Sequence, residues 1–588
     1  MTRTTIWILL PGLAVLSLVS PAHASSTGLS VRPCNIPGIS SPARCGTFEV
    51  WENRDARKGR RIAIRFYVVP ASGTARVTEA VAFFSGGPGE AATDSAAWVT
   101  TDLADVRDGR DLLFVDLRGT GGSHPLPCKS AKPSDPQSYF KEFYTPADVA
   151  RCARELRARA DVTQYHTAPA VDDVEDLRAA LGYERLDLYG GSYGTRAALV
   201  YVRRHPQHVR AILMQGSVPT DLRYPLTVPR DAQLAFDGVR SDCERDAACR
   251  AAFPDMAGDL AASLRRFESG PVKAEVLDAK RAATTTVTLP RDRYTEGIRA
   301  LLYNASSSSL IPAIVHRAAQ GDFGPAAEEE LAWRMEIETQ YRGVHLAVTC
   351  SEDVDFIDPA EARRAAEGTF MTAWRAVDQK AACAVWPHRK LDRSVLEPVR
   401  SSVPLLILNG AYDPATASYH AERLAQGFPN SRVVIIPSAG HGTNGLVGLR
   451  SCYDRIVAEF IRTADAKGVD ASCMAAVHRP PFPTEFPGGK VIAVDPASLH
   501  RFTGTYSSPE DTIDIRFEQG KLQADASGEK FTLLPIGPSR FRLLESPHVQ
   551  ITFRDHDGTV TALEFANGGA PVETFSRVDK EKRALGPR

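Results

Sequence analysis

Short apolar runs and helical segments alternate between residues 81 and 216. The runs at residues 81–84, 112–115, 186–189 and 211–214 have the length of buried strands. Between them, apolar residues recur at the spacing of a helix that buries one face, namely at Val171, Val174, Leu177 and Leu181. Strands that alternate with helices predict a parallel sheet covered on both faces, so the predicted fold class is α/β.

The alternation stops near residue 220 and resumes at residue 403. Two further apolar runs, at residues 404–408 and 433–436, predict that the same sheet continues there. The intervening residues 221–402 are rich in Ala, Arg and Glu, and we expect them to form a large, mostly helical cap. This cap is predicted to interrupt a core made of residues 25–220 and 403–490.

The hydrophobic pattern changes once more after residue 490. Residues 512–517 and 549–553 alternate with period two, and glycines lie in the polar turns between such runs. Residues 491–588 are therefore predicted to form a separate, small antiparallel β domain.

The first 24 residues have the features of a signal peptide. Arg3 supplies the positive start, residues 6–19 are mostly apolar, and Ala22-His23-Ala24 offers the small residues of a cleavage site. The apolar stretch is too short to span a membrane comfortably, and no later run approaches about 20 apolar residues. We therefore expect a secreted or periplasmic protein with no stable membrane span after cleavage.

Charge and cysteine content narrow the function classes. The chain has 70 Lys+Arg against 71 Asp+Glu, so it lacks the basic field that holds a nucleic acid. An even number of cysteines in an exported chain favours disulfides, and the separations favour pairing of neighbours, although the sequence alone does not choose among all pairings. No C-x2-C or H-x3-5-H pattern supports a metal site. The cysteines are Cys34, Cys45, Cys128, Cys152, Cys243, Cys249, Cys350, Cys383, Cys452 and Cys473.

One set of residues indicates nucleophilic catalysis. Ser192 lies in a G-x-S-x-G motif between a predicted strand and a predicted helix. Asp413 and His441 each follow a later strand, and the order Ser, Asp, His along the chain is that of α/β-hydrolases. We predict Ser192 as nucleophile, His441 as base and Asp413 as the residue that orients the imidazole.

The glycine-rich stretch after the first predicted strand suits an oxyanion hole. Residues 85–89 read Ser-Gly-Gly-Pro-Gly, where backbone can approach a substrate closely. The N–H groups of Gly87 and of Tyr193, which follows the nucleophile, are the predicted donors. There is no G-x4-G-K-[ST] motif, and no cofactor is expected.

These motifs together resemble the proline iminopeptidase and tripeptidyl aminopeptidase group of α/β-hydrolases. The resemblance covers about residues 30–485, while the C-terminal region resembles the small lipocalin-like domain of some exported serine hydrolases. Two positions depart from the pattern of the group: Ser85 stands where His or Asn is usual, and Glu90 follows the glycines directly. The matching residues are Gly86-Gly87-Pro88-Gly89, the stretch from Asp116 to Ser123, Gly190 to Gly194, Asp413 and His441.

The resemblance implies a serine aminopeptidase that acts on peptides with a free N-terminus. It also implies cap carboxylates that bind the substrate ammonium, for which Glu352 and Asp353 are the candidates. The acidic run Glu328-Glu329-Glu330 is expected to be only an exposed helix face. A carboxylesterase that uses the same triad and a catalytically silent binding protein remain the alternatives.

Overall fold

The computed structural model describes residues 28–578, except 74–77, 131, 133, 143, 279–282, 510 and 527–528. The predicted signal peptide, residues 1–24, lies outside the described residues. The strands are β1 (Leu29–Cys34), β2 (Ala43–Trp51), β3 (Arg61–Val69), β4 (Glu79–Phe84), β5 (Asp111–Val115), β6 (Arg185–Gly191), β7 (Val209–Gln215), β8 (Val272–Asp278), β9 (Ala283–Leu289), β10 (Leu405–Gly410), β11 (Ser431–Ile436), β12 (Gly504–Ser507), β13 (Thr512–Glu518), β14 (Lys521–Ala526), β15 (Glu529–Pro535), β16 (Arg540–Leu543), β17 (Val549–His556), β18 (Thr559–Asn567) and β19 (Glu573–Arg577).

Helices separate most of the core strands and make up most of the insertion between β7 and β10. They are α1 (Ala96–Asp102), α2 (Pro146–Arg157), α3 (Thr167–Leu181), α4 (Tyr193–Arg204), α5 (Val228–Arg245), α6 (Ala247–Ala252), α7 (Met256–Arg265), α8 (Arg291–Leu301), α9 (Ala305–Ser308), α10 (Ile311–Ala319), α11 (Gly324–Ile337), α12 (Arg342–Glu352), α13 (Pro359–Ala365), α14 (Trp374–Val385), α15 (Ser418–Ala425), α16 (Arg450–Thr463) and α17 (Pro496–Leu499).

The core is a nine-stranded mixed sheet in the order β1-β2-β3-β5-β4-β6-β7-β10-β11. From β5 to β11 all neighbours are parallel, and β1 to β3 add an antiparallel edge. Every residue of β5 and β10 is buried, as expected for strands covered by helices on both faces. The predicted α/β class is confirmed, and the carboxyl ends of the parallel strands meet at one edge of the sheet.

The insertion between β7 and β10 contains α5 to α14 and the antiparallel hairpin β8-β9. It is mostly helical, as the composition of this segment predicts. The domain boundaries at residues 220, 402 and 490 stay predictions, because strand pairing does not define where a domain begins.

After the core, β12 to β19 form a closed antiparallel barrel. Each strand pairs with the next along the chain, and β12 closes the barrel on β19 through Tyr506 opposite Arg577. Aromatic rings fill its interior, among them Phe502, Phe541 and Phe553, whose centroids lie 4.5–5.5 Å apart. The predicted antiparallel β domain is confirmed as this eight-stranded barrel.

The barrel packs on the cap through helix α11. The guanidinium of Arg542 donates to both carboxylate oxygens of Glu328, at 2.6 and 3.0 Å. Nδ1 of His548 lies 2.9 Å from Glu329. Glu330 is fully buried on the other side, 3.8 Å from a guanidinium nitrogen of Arg293. The expected exposed acidic face at residues 328–330 is therefore wrong, because α11 lies between the barrel and the cap interior.

The ten cysteines form five disulfides, and each joins one cysteine to the next cysteine along the chain. All ten lie within the described residues. A search of those residues finds no helix long and apolar enough to cross a membrane. The bonds are Cys34–Cys45, Cys128–Cys152, Cys243–Cys249, Cys350–Cys383 and Cys452–Cys473.

Candidate active site

Ser192 lies on the tight turn between β6 and α4. Its backbone has φ 52° and ψ −125°, a conformation that L-residues rarely adopt, and its N–H donates to the Gln215 carbonyl at 2.9 Å. A Cβ on Gly194 would lie 1.9 Å from the Phe84 carbonyl oxygen, and one on Gly190 would lie 2.6 Å from the Gly194 oxygen. Both flanking positions therefore need glycine, and the turn holds Ser192 at the carboxyl edge of the sheet.

Asp413 follows β10, and His441 follows the neighbouring parallel strand β11. Nδ1 of His441 lies 2.9 and 3.0 Å from the two carboxylate oxygens of Asp413. The N–H groups of Ala415 and Thr416 and the hydroxyl of Thr416 also donate to this buried carboxylate, at 2.7–2.9 Å. These bonds fix the carboxylate against Nδ1 and leave Nε2 as the ring nitrogen for proton transfer.

Electrostatics within this pair favour the charged forms. Burial, the largest influence on Asp413, favours the neutral acid, but His441 and the Thr416 hydrogen bonds outweigh it, so the pKa of Asp413 lies below its ordinary value. Burial also acts to lower the pKa of His441, and the Asp413 carboxylate outweighs it, so the pKa of the imidazole is raised. The carboxylate therefore stabilises the imidazolium that forms when the base takes a proton.

The end of β7 lies next to both Ser192 and His441. A Cβ on Gly216 would lie 2.8 Å from Cε1 of His441, and the preceding residue accepts the Ser192 N–H. The ring of Tyr303 packs edge-on against the imidazole at 5.0 Å between centroids. Within the described residues the Ser192 hydroxyl forms no hydrogen bond with His441; such bonds are often long before substrate binds and tighten in the complex.

The candidate oxyanion donors belong to the residue after Ser192 and to the glycine-rich loop that follows β4. Tyr193 is the first residue of α4, so its N–H belongs to the helix N-terminal donors that have no partner within the helix. Gly86 and Gly87 follow β4, where a Cβ on Gly86 would lie 3.3 Å from Cβ of Ser192. Gly87 has φ 101°, a conformation that favours glycine. The arrangement suits an oxyanion that forms beside Ser192.

Glu352 and Asp353, the predicted ammonium ligands, are buried and bonded inside the protein. Glu352 accepts hydrogen bonds from the N–H and the hydroxyl of Thr167, at 2.7 and 2.9 Å. Asp353 accepts one from the guanidinium of Arg196 at 2.8 Å. Their exposed fractions are 7% and 1%. The structure thus directs both carboxylates at internal partners and away from a role as free acceptors.

Sequence reasoning missed four residues of this site. Thr416 follows Asp413 at a spacing typical of side-chain turns, which is a readable signal. Gly216 directly follows an apolar run, while Tyr303 lies 138 positions before its partner His441 and gives no local signal. Glu90 stood out only as a departure from the family pattern. No group of three or more His, Cys, Asp or Glu side chains in the described ranges is arranged to hold a metal ion.

Comparison with known proteins places the chain in a family. A profile of the alpha/beta hydrolase fold matches residues 79–444, which is more than half of the chain. The chain is an α/β-hydrolase. The matched residues include β4 to β11, the cap and all three candidate triad residues.

Relatives of this α/β-hydrolase include serine peptidases, and it is a serine hydrolase. The tripeptidyl aminopeptidase of Streptomyces coelicolor is 25% identical over 508 residues, which are 79% of this chain and 89% of that protein. The serine protease Hip1 of Mycobacterium tuberculosis is 29% identical over 37% of this chain and 45% of its own length. The crystal structure of a Mycobacterium smegmatis proline iminopeptidase is 15% identical, with a TM-score of 0.32, over 71% of this chain and 98% of that one.

Proposed function

We propose that this hydrolase is an exported serine aminopeptidase that cleaves peptide bonds near free N-termini. The observation that carries the proposal is the joint position of Ser192, His441 and Asp413 at the carboxyl ends of β6, β11 and β10, with both Asp413 oxygens within 3.0 Å of Nδ1 of His441. The peptidases among its relatives support a peptide substrate. Five disulfides support an oxidising compartment, outside the cell or in the periplasm.

The geometry supports a two-step acyl transfer. The Ser192 hydroxyl attacks the peptide carbonyl and gives its proton to Nε2 of His441, while Asp413 holds the imidazolium. The tetrahedral oxyanion accepts hydrogen bonds from the N–H groups of Gly87 and Tyr193. As the C–N bond breaks, His441 returns the proton to the leaving amine and an acyl-enzyme remains. Water then attacks the ester through the same base and releases the acid.

The triad assignment is tested by three substitutions. Ser192→Ala removes the nucleophile, so it should abolish labelling by a fluorophosphonate probe and lower kcat by orders of magnitude. Asp413→Asn should cost about 10⁴ in kcat, because the amide favours the wrong imidazole tautomer. Ser217→Ala is the matched control, since this buried hydroxyl at the end of β7 has no hydrogen-bond partner in the described chain. Labelling of the Ser192→Ala protein would reject the assignment.

The aminopeptidase assignment is tested on the substrate. Acetylation of the N-terminus of a good peptide substrate removes the ammonium, and we expect kcat/KM to fall by roughly 10² or more. Mass spectrometry of a digested peptide library gives the released units. Equal cleavage of acetylated and free peptides would reject an aminopeptidase and favour an endopeptidase or an esterase.

A further inference from the structure

Glu90 lies beside the nucleophile, at the end of the glycine-rich loop. A Cβ on Gly86 would lie 2.9 Å from Oε2 of Glu90 and 3.3 Å from Cβ of Ser192, so the carboxylate and the nucleophile flank the same point. The amide of Gln340 donates to the other carboxylate oxygen at 2.9 Å, and the hydroxyl of Ser85 lies 3.4 Å from Oε2. Glu90 is nevertheless an exposed residue, and it lines a recess beside the glycine-rich loop.

No Arg or Lys of the described residues forms an ion pair with Glu90. This is unusual for a carboxylate so close to reacting atoms, because the Ser192 attack creates a second negative charge on the substrate oxygen. Two like charges separated by a few ångström in a partly dry cleft repel each other appreciably. Glu90 therefore repels the oxyanion, although the same carboxylate helps to raise the pKa of His441 and so favours the imidazolium. Desolvation raises the pKa of Glu90. A positive group on the substrate at this point favours the charged carboxylate and offsets its repulsion of the oxyanion.

The recess next to Glu90 has a volume of about 10 Å³, which is room for a group the size of an ammonium. Tyr165, Val344 and Val348 give it an apolar wall, and His166 lies in its lining. Burial lowers the pKa of His166 to about 4, so this imidazole is neutral near pH 7 and does not repel a cation. The guanidinium of Arg118, which also lines the recess, is paired with both oxygens of Asp173 at 2.7 and 2.8 Å.

We propose that Glu90 is a specificity-determining residue that binds the α-ammonium of the residue whose carbonyl Ser192 attacks. The inference rests on the aminopeptidase function proposed above and adds the length of the released unit. The α-nitrogen is two bonds from the attacked carbonyl carbon, whereas each further residue of an extended peptide adds about 3.3–3.6 Å. The ammonium of a tripeptide unit would therefore lie well beyond Glu90, so the enzyme releases single N-terminal residues.

The same carboxylate chemistry would also suit a lysine or arginine side chain next to the attacked bond. Four aminomethylcoumarin substrates separate the two sources of positive charge and the two unit lengths. These are alanyl, N-acetyl-alanyl, alanyl-alanyl-alanyl and N-acetyl-lysyl aminomethylcoumarin. The full-length enzyme is assayed on each, as wild type and as Glu90→Gln. Glu184→Gln is the matched control, because Glu184 is an exposed carboxylate that directly precedes β6, whereas Ser192 follows the other end of this strand.

We expect Glu90→Gln to lower kcat/KM for the alanyl substrate by about 100-fold, with much of the loss in kcat. Cleavage of the N-acetyl-alanyl substrate should change much less, because this substrate has no ammonium for Glu90 to bind. Wild type should prefer the alanyl to the tripeptide substrate, and Glu184→Gln should behave as wild type. Fluorophosphonate labelling and thermal unfolding verify that Glu90→Gln is folded.

Three results would overturn the inference. The first is an equal loss of kcat/KM for all substrates in Glu90→Gln, which indicates a role in positioning His441. The second is a loss for the lysyl substrate alone, which indicates side-chain recognition. The third is a preference of wild type for the tripeptide substrate. If wild type requires a free amine and Glu90→Gln retains that requirement, the aminopeptidase proposal is supported and the proposed role of Glu90 is rejected. If wild type cleaves acetylated and free alanyl substrates equally, the proposed function itself fails.

Discussion

His441 can occupy its position because Gly216, which lies against the imidazole, has no side chain. The α-carbon of Gly216 faces the imidazole so closely that even a methyl group would lie 2.8 Å from Cε1. The Asp413 carboxylate, already held by Thr416, binds Nδ1 of the same ring. The base is therefore located by packing as well as by its hydrogen bond.

Gly216→Ala should displace the imidazole and lower kcat/KM by roughly 10², because a misplacement of about 1 Å is enough for such a loss. Gly182→Ala is the matched control: both glycines have positive φ, 65° and 80°, but a Cβ at Gly182 meets nothing within 4 Å. Each substitution carries about 1–2 kcal/mol of backbone strain, so both should lower the melting temperature. Kinetics on an activated ester separate the two effects, and equal kcat/KM for both variants would contradict this role.

The sequence predicts the triad residues because each follows a recognisable strand and their order along the chain is informative. Gly216 and Tyr303 give no such signal, since their role arises from close contact with a residue far along the chain. The prediction of Glu352 and Asp353 as substrate ligands is limited in the same way, because their contacts also depend on residues far along the chain. Acidic residues in a cap can be listed from the sequence, but the sequence does not show which carboxylates face internal donors.

Among the secondary-structure elements, the strands of the parallel sheet were predictable from continuous apolar runs. Strand β3, which lies between β2 and β5, is not among the predicted strands, although Ile62, Ile64, Phe66 and Val68 alternate with period two and are all buried. The error at α11 has another cause. Its acidic residues suggest a solvated face, but Arg542 and His548 of the barrel cover that face, and such pairing depends on how distant elements dock.

The contact between His548 and Glu329 should make barrel docking depend on pH. Burial acts to lower the pKa of His548, but the carboxylate outweighs it and raises the pKa. This stabilisation is therefore complete below the unfolded value of about 6.5 and is lost as pH rises through the folded pKa. The barrel should therefore unfold at a lower temperature at about pH 9 than at about pH 6.

Calorimetry of His548→Gln tests this dependence. The variant loses the charged partner of a buried carboxylate, at a cost of about 3 kcal/mol, and its barrel transition should vary less with pH than that of wild type. His556→Gln is the control, since this histidine of the same barrel has a side chain that is 80% exposed. An unchanged pH dependence in His548→Gln would show that this pair does not govern docking.

At the scale of the whole molecule, every disulfide joins segments that are close in the chain. The largest separation is 33 residues, for Cys350–Cys383 in the cap. Core and cap each hold their own bonds, and the barrel carries no cysteine. The core, cap and barrel are thus held to one another by non-covalent contacts such as those of α11.

The denatured, unreduced protein should show no titratable thiols, because all ten cysteines are paired. Reduction should lower stability, and the chain-entropy relation gives about 4 kcal/mol for a loop the size of that closed by Cys350–Cys383. Thiol titration in denaturant checks the first expectation, and thermal unfolding with and without reductant checks the second. Four or more free thiols would contradict the pairing.

Pairing of consecutive cysteines also has a consequence for biogenesis. A chain that is exported from its N-terminus presents Cys34 and Cys45 first, then Cys128 and Cys152, and so on in the order of the native bonds. An oxidase that joins each cysteine to the next one to emerge would therefore make the native set directly. Maturation of this enzyme should depend on a thiol oxidase and should not require a disulfide isomerase.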